Sequence, residues 1–478
     1  MRNLILTACC LFVAPVSDVP AEEQGIDRPN IVFLLADDLG WTGLNCFGSD
    51  FYETPHLDRL AVTGMKFTNA YAACTVCSPT RASIMTGMYP ARLHLTDFIA
   101  GQDRPYAKLS VPKWTKQLES RHVTIAEALK ASGYRTGHFG KWHLNAKGGD
   151  RRGTDPRSQG FDVSVGRPKG SRGYLLGKAK RPGSGTGYLT DWLTNAACRF
   201  VAASKDQPFF LYFAYNVPHT PIQGRPDLVQ YFRDRVEESA AHRNPEYAAM
   251  VKSLDLSVGR ILSTLKDEGV AENTLVIFIS DNGGLTQRYG RHDGFTENLP
   301  LRRGKGSAYE GGVRVPAIVN WPGVTPAGAV SDTPIITIDF YPTLLAASGA
   351  KGVRSHNANV DGRSLLPVFR NASHQFQRSL YWHYPHYHAG GDSPYSAVRS
   401  GTWKLIEFHE DQSTRLYNLK SDLRERQDLS QQLPERRTAM LQELRRWRNT
   451  VNAQMPTANP HYDPDKPFGR ATGQRRQE

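Results

Sequence analysis

The sequence predicts an α/β fold: a large, mainly parallel sheet flanked by helices, with a smaller α+β subdomain at the C-terminal end. Three observations predict it. Short continuous apolar runs recur through the first three quarters of the chain, as strands buried on both faces of a parallel sheet require. Amphipathic helical segments alternate with those runs. Beyond about residue 376 the pattern turns to antiparallel-type strands and a final helix.

The first segment is expected to be absent from the mature fold. Arg2, the apolar stretch 4–16 and Val19-Pro20-Ala21 read as a secretory signal over residues 1–21. That stretch is too short to span a bilayer as a permanent helix. Leu6-Thr7-Ala8-Cys9 looks like a lipoprotein cleavage box, but it sits too near the N-terminus to leave a full apolar core ahead of it. The expectation is therefore export to a periplasm or the medium, without stable membrane insertion.

Residues 30–36 (NIVFLLA) read as a buried strand that stops at Asp37-Asp38-Leu39-Gly40. Residues 124–132 (TIAEALKAS) read as a helix with Thr124 as N-cap, Glu127 completing a capping box and Gly133 at the stop. Residues 134–139 and 208–215 (PFFLYFAY) read as strands. Val251, Leu254, Val258, Ile261, Leu262 and Leu265 share one helical face that ends near Gly269. Residues 274–280 (TLVIFIS) form a strand running into Asp281-Asn282-Gly283-Gly284. Ligands of open α/β sheets sit at the carboxyl ends of strands. Asp37, Asp38, Asp281 and Asn282 are thereby directed towards one site. These elements belong to a domain over 22–375. Residues 395–408 and 415–419 read as antiparallel strands and 434–451 as an amphipathic helix, within a subdomain over 376–452. The polar tail 453–478 has little to bury and is expected to be mobile.

The chain carries 59 Lys and Arg against 46 Asp and Glu, a formal charge of +13. The basic residues are dispersed, without the aromatic-interleaved stripe of a nucleic-acid binder. The excess suits an anionic substrate. Of six cysteines, Cys9 and Cys10 fall in the signal, and the spacing of Cys46, Cys74, Cys77 and Cys198 does not decide any pairing.

The segment with the most chemical content is Cys77-Ser78-Pro79-Thr80-Arg81, followed by Thr86-Gly87. A lone cysteine is ordinarily a small buried hydrophobe. This segment, however, resembles the signature of type I sulfatases: Cys, any residue, Pro, any residue, Arg, then a Thr-Gly pair. Further blocks are similar to that family's: Gly140-Lys141-Trp142-His143-Leu144, Val217-Pro218-His219-Thr220-Pro221, and Lys305 ahead of Tyr309-Glu310-Gly311-Gly312. The likeness runs from Arg28 to about Trp447.

The resemblance implies the alkaline-phosphatase superfamily fold and a sulfuric ester hydrolase. It implies that a maturation enzyme oxidises Cys77 to formylglycine (3-oxoalanine), whose hydrate attacks sulfur while Arg81 holds it in place. Asp37, Asp38, Asp281 and Asn282, with the side chain at Cys77, would ligate a divalent metal. Their oxygen donors suit Ca2+, with Mg2+ as the other hard ion. Lys141 and Lys305 would bind sulfate, His143 would act as base and His219 would protonate the departing alcohol. Arg302 and Arg303, beside Lys305, read as solvated neighbours. The expected substrate is a sulfated carbohydrate, with small aryl sulfates as the other class. The rival readings are a phosphonate or phosphate ester hydrolase of the same superfamily and an inactive glycan-binding homologue.

One segment has no counterpart in those blocks. Residues 381–388 (YWHYPHYH) are rich in aromatics and histidines. They lack a carboxylate or cysteine at zinc-ligand spacing. They read either as a packed crossover loop or as a loop at the rim of the site, with His386 and His388 binding sugar hydroxyls.

Overall fold

The computed structural model describes residues 28–146, 153–169, 171, 173–177, 187–236, 241–286 and 294–466. The expected signal and the end of the tail lie outside these residues. The main sheet comprises β1 (Asn30–Ala36), β2 (Met65–Phe67), β3 (Arg135–Gly140), β4 (Val163–Val165), β5 (Phe209–Ala214), β6 (Thr274–Ser280), β7 (Ala317–Asn320) and β8 (Ala329–Ser331). Their order is β8-β2-β7-β6-β1-β5-β3-β4. Every neighbouring pair is parallel except those made by β7, which runs antiparallel to β6 and β2.

All seven residues of β1 are buried, because helices cover both faces of the sheet. Ile31, Phe33 and Leu35 enter one core with α2 (Cys77–Thr86), α3 (Ile125–Ala131) and α6 (Phe340–Ser348). Val32, Leu34 and Ala36 enter the other with α1 (Pro55–Thr63), α4 (Leu189–Ala202) and α5 (Pro245–Asp267). The period-2 alternation of a strand thus feeds two cores, and each fully buried aliphatic side chain contributes about 1.5–3 kcal/mol. The capping box at Thr124 is formed as expected: its side chain accepts from Glu127 N, and Thr124 N donates to the Glu127 carboxylate at 2.7 Å.

The C-terminal subdomain is a four-stranded antiparallel sheet in chain order: β9 (Ser379–Tyr384), β10 (Tyr395–Ser400), β11 (Trp403–Phe408) and β12 (Thr414–Asn418). Helix α7 (Pro434–Thr450) packs on it through Met440, Leu444 and Trp447. Residues 381–384, read from sequence as part of a loop, are the last four residues of the edge strand β9. Trp382 is buried and donates to Ala72 O at 2.8 Å, which ties the strand to the larger domain. His383 is consumed inside the subdomain by Ser396 and by Gln454 O.

The two parts are joined by a buried charge cluster. Lys404 lies 2.8 Å from Glu310 and 3.1 Å from Glu425. Arg302 is not a solvated neighbour of Lys305. It donates to Glu425 O at 2.7 Å and lies over the Tyr309 ring. Arg303 is exposed, as expected. Beyond α7 the chain does not leave the body at once. Thr457–Ala458 pairs antiparallel with Leu109–Ser110, and the Asn459 amide donates to Pro105 O and Ala107 O. The polar composition of this stretch offered no sign of that docking, because it is held by backbone pairing. All four described cysteines are free thiols. No helix of the described residues is long and apolar enough to cross a membrane.

Candidate active site

The site is assembled by strand register. In the β1–β6 pair, Ala36 faces Ser280, so Asp37 and Asp281 leave adjacent parallel strands side by side. Asp281 N donates to Ala36 O, and Asp38 N donates to Asp281 Oδ1 at 3.1 Å. Asn282 Nδ2 donates to Asp38 Oδ1 at 2.8 Å. On the other side of β1, β5 leads to His219, and Asp37 N donates to Val217 O. β3 ends at Gly140 with φ +100, where a Cβ would fall 2.0 Å from Ala214 O. Glycine here lets the chain turn Lys141 inward.

Four cationic or nucleophilic groups close on these acids. Cys77 is the first residue of α2 and is fully surrounded, as are all ten residues of that helix. Arg81, one turn on, donates through Nε and Nη2 to Asp281 Oδ2 at 2.9 and 2.6 Å and through Nη1 to Lys141 O. Lys141 Nζ is 2.7 Å from Asp37 Oδ2, and Lys305 Nζ is 2.7 Å from Asp38 Oδ2. Three buried carboxylates therefore face three cations.

The electrostatics follow from burial and these pairings. Burial alone would raise Asp38, but Lys305, His219 and Lys141 outweigh it and hold the carboxyl well below the usual range. Burial, reinforced by the charge of Asp37, pushes Asp281 up to about 6. Burial also pushes the Cys77 thiol up, against the pull of Lys141 and Lys305.

The two histidines are held by backbone carbonyls, which fixes their protons. His143 Nε2 donates to Ile99 O at 2.5 Å, leaving the buried Nδ1 without a partner. Burial and the Lys141 charge hold this ring neutral. His219 Nδ1 donates to Thr220 O at 2.6 Å, and its Nε2 stands 3.7 Å from Asp38 Oδ2. Burial lowers His219 to about 3, with Lys305 and Lys141 adding to it and Asp38 opposing.

The donor set fits a hard divalent cation. Ligand atoms of Asp37, Cys77 and Asp281 lie within 4.8 Å of one another, as do those of Asp37, Asp38 and His219. Asn282 Oδ1 is buried and makes no hydrogen bond. An orphaned amide oxygen beside three carboxylates is what an oxygen-ligated ion would satisfy.

A pocket of about 270 Å3 opens on these groups. Of the site residues expected from sequence, Asp37, Asp38, Cys77, Lys141, His143, His219, Lys305 and His388 line it. Arg81, Asp281 and Asn282 lie behind that lining, in hydrogen-bonded contact with it. His386 is apart. It is 2 % exposed, hydrogen-bonds Thr96 Oγ1 at 2.8 Å and packs against Trp114 and Tyr384. Sequence reading missed Phe98, Gln102, Arg167, Tyr174 and Asn216, which also line the pocket. Tyr174 positions the His219 turn by donating to His219 O at 2.8 Å. Asn216 directly precedes the Val217-Pro218-His219 block and was within reach of a sequence argument. The others come from loops without a local pattern.

Comparison with known proteins agrees with this geometry. Residues 29–350 match the family described as Sulfatase, and residues 304–450 match the one described as N-sulphoglucosamine sulphohydrolase, C-terminal. A sulfatase of Formosa agariphila is 32 % identical, over 93 % of this chain and 93 % of its own. Human arylsulfatase A is 34 % identical, over 80 % of this chain and 75 % of its own. The crystal structure of Ps i-CgsB in complex with k-i-k-neocarrahexaose is 29 % identical, covering 93 % of this chain and 96 % of that one at a TM-score of 0.75. With the strand-end acids, the Cys77 helix and the paired lysines in one pocket, the chain belongs to the sulfatase family, the sulfuric ester hydrolases of the alkaline-phosphatase superfamily.

Proposed function

We propose that this protein is an exported carbohydrate sulfatase that works through a formylglycine made from Cys77 and a bound Ca2+. The observation that carries the proposal is the placement of Cys77 at the start of α2 between two lysines, with its thiol held protonated by burial. A protonated thiol is a poor nucleophile. An oxidised side chain at this position would provide the attacking oxygen instead, as a geminal diol that can later release sulfate by reverting to the aldehyde. A maturation enzyme acting on the chain is the partner this requires.

Asp37, Asp38, Asp281 and the free Oδ1 of Asn282 would hold the metal. The ion would polarise the ester oxygens and favour deprotonation of the attacking hydroxyl. Lys141 and Lys305 sit where they can share the three charged oxygens of a sulfuryl group. Burial is the largest cause that depresses His219, and an anion between the lysines would offset the part that their charges add. His219 Nε2 can then carry the proton that passes to the departing alcohol oxygen. His143, which lines the pocket with Nδ1 unpartnered, would accept the proton released when sulfate is expelled. Arg81 keeps Asp281 and the Lys141 backbone in register beneath the reacting side chain.

The carbohydrate reading is supported by the aromatic and polar rim of Phe98, Gln102, Tyr174 and His388. It is supported as well by the likeness to a protein crystallised with a neocarrahexaose. The test is mass spectrometry of the Cys77 peptide from enzyme produced with a maturation partner, paired with sulfate release from aryl and glycan esters. Formylglycine in the active fraction is the expected result. Full activity in protein whose Cys77 is entirely unmodified would overturn the mechanism.

A further inference from the structure

Lys305 stands on a segment that both parts of the molecule hold. The segment runs from Arg302 to the short helix Glu310–Val313. One set of partners comes from the larger domain. Lys305 N donates to Gly284 O at 3.0 Å and Gly306 N to Thr75 O at 3.1 Å, and Asn298 Nδ2 spans Arg303 O and Gly311 O. The other set comes from the C-terminal subdomain. Tyr395 Oη donates to Ser307 O at 3.3 Å, and Asp392 accepts from Ser307 Oγ at 2.6 Å and from Ala308 N at 2.8 Å.

Glu425, in the connection between β12 and α7, reaches both ends of the segment. Its carboxylate accepts from Glu310 N at 2.7 Å. Its main-chain carbonyl accepts from Arg302 Nη1, also at 2.7 Å. Gly311 N donates to Arg302 O at 3.0 Å, so the two ends lie together and the segment closes into a loop. Lys305 projects from that loop to Asp38, with Glu425 at its base.

Two features of Glu425 are unfavourable by themselves. Its φ is +51, a region that residues other than glycine seldom occupy. Its side chain is fully buried among Lys404, Glu310, Arg314, Arg399 and Tyr71, the last of which donates to Glu310 Oε2 at 2.6 Å. Burial pushes the Glu425 carboxyl up to about 7, with Lys404 opposing and the charge of Glu310 adding to it. In either protonation state one oxygen remains to accept from Glu310 N. A buried charge cluster is weak support for stability, and a strained backbone costs stability outright. Both occur at one residue, beneath a loop that carries a lysine of the pocket floor.

We propose that Glu425 is a positioning residue for the reaction: by gripping Arg302 and Glu310 it sets where Lys305 meets the sulfuryl oxygens, which makes the C-terminal subdomain a working part of the pocket floor. This rests on the reading of Lys305 as a sulfate-binding group. A displacement of about 1 Å far from the reacting atoms can lower a rate about 10²-fold. Lys305 would act on charge that develops in the transition state, so the loss should fall on kcat rather than KM.

The test is a double-mutant cycle in matured enzyme supplied with Ca2+, on whichever of 4-nitrophenyl sulfate and sulfated oligosaccharides is turned over fastest. Glu425→Ala should lower kcat about 10- to 100-fold and move KM by less than about threefold. In a Lys305→Ala background the same change should lower kcat by less than about threefold, because the group it positions is gone. Glu425→Gln loses the charge but keeps an oxygen for Glu310 N, and should recover most of the lost kcat. Arg302→Met frees the other end and leaves the buried charges paired. It should show the same pattern at smaller size, and it carries the test if Glu425→Ala does not fold. Equal fractional losses in the two backgrounds, as a general loss of structure would give, or no loss in either variant, would overturn the positioning role and leave sulfate binding by Lys305 standing. A wild-type kcat in Lys305→Ala would bring down that binding role and the positioning role together.

Discussion

The floor and the rim of the pocket are built by different means. The floor groups are set by strand ends and by α2, and every acid there is matched to a cation or an amide across adjacent strands. The rim groups come from loops of two subdomains that meet only in the folded chain, and Phe98 and His388 from the two sides meet ring to ring. His386 and His388 mark the boundary. They are two residues apart, yet one is packed beneath Trp114 and the other faces Lys305. Burial, with the Lys305 charge, lowers His388 to about 3, so it meets a ligand as a neutral hydrogen-bonding group. The difference teaches that chemistry and selectivity can be changed separately: floor damage should be felt by every substrate, rim damage by large ones only.

The comparison breaks most visibly at Cys77. Cys77→Ala should lower kcat by about 10⁴–10⁶-fold on aryl and glycan esters alike while the protein stays folded by circular dichroism. Loss on one substrate class alone would mean that the floor is not shared. Removal of divalent metal should cost about 10²–10⁴-fold on both classes, restored best by Ca2+. Ca2+ should also raise Tm, since the proposed ligands come together only in the folded strand ends. Full activity in metal-free protein, verified by elemental analysis, would contradict the ligand assignment.

The rim gives smaller and selective effects. His388→Ala should raise KM for a glycan by about 2- to 10-fold, the worth of one hydrogen bond, and leave an aryl sulfate nearly unchanged. His386→Ala should do neither. It removes a packed ring and the Thr96 bond, so it should lower stability by about 1–3 kcal/mol and leave the KM ratio between substrates intact. Equal behaviour of the two variants in both assays would erase the boundary drawn here.

A pH-dependent effect on stability, with the least effect on catalysis, lies beneath the rim, at Asp97. Burial pushes its carboxyl up to about 7, although Tyr384 Oη and Phe98 N hydrogen-bond to it. The folded state therefore keeps a proton that the unfolded chain releases near 3.8. Stability should fall as pH rises from about 4 to about 7, and stay level above that. Asp97→Asn should flatten this slope in a Tm-against-pH series without altering kcat at neutral pH.

Much of the floor was legible in sequence because its signals are local. The runs 30–36 and 274–280 match β1 and β6 residue for residue, and the acids follow directly after each. The Cys77 block forms one helix, Lys141 follows β3 at once, and His219 comes in the turn after β5, which ends at Ala214. Buried apolar runs located the strand-end acids, and the resemblance to the sulfatase motifs supplied Cys77, Lys141, His219 and Lys305. The rim departs from this. Residues 381–384 looked like a loop because aromatics and histidines mask an alternation that only the pairing with β10 makes evident.

The sequence by itself determined the parallel sheet, the order of its strand-end acids and the residues able to carry sulfate ester chemistry, since these depend on patterns spanning a few consecutive residues. The tertiary structure alone decided that His388 and not His386 reaches the pocket, that Arg302 and Lys404 bind the subdomains together, and that the C-terminal stretch returns to pair with Leu109–Ser110. Each of these rests on contacts between segments far apart in the chain. No local periodicity records them, because the backbone pairing and buried charge that hold such segments exist only once both partners are in place.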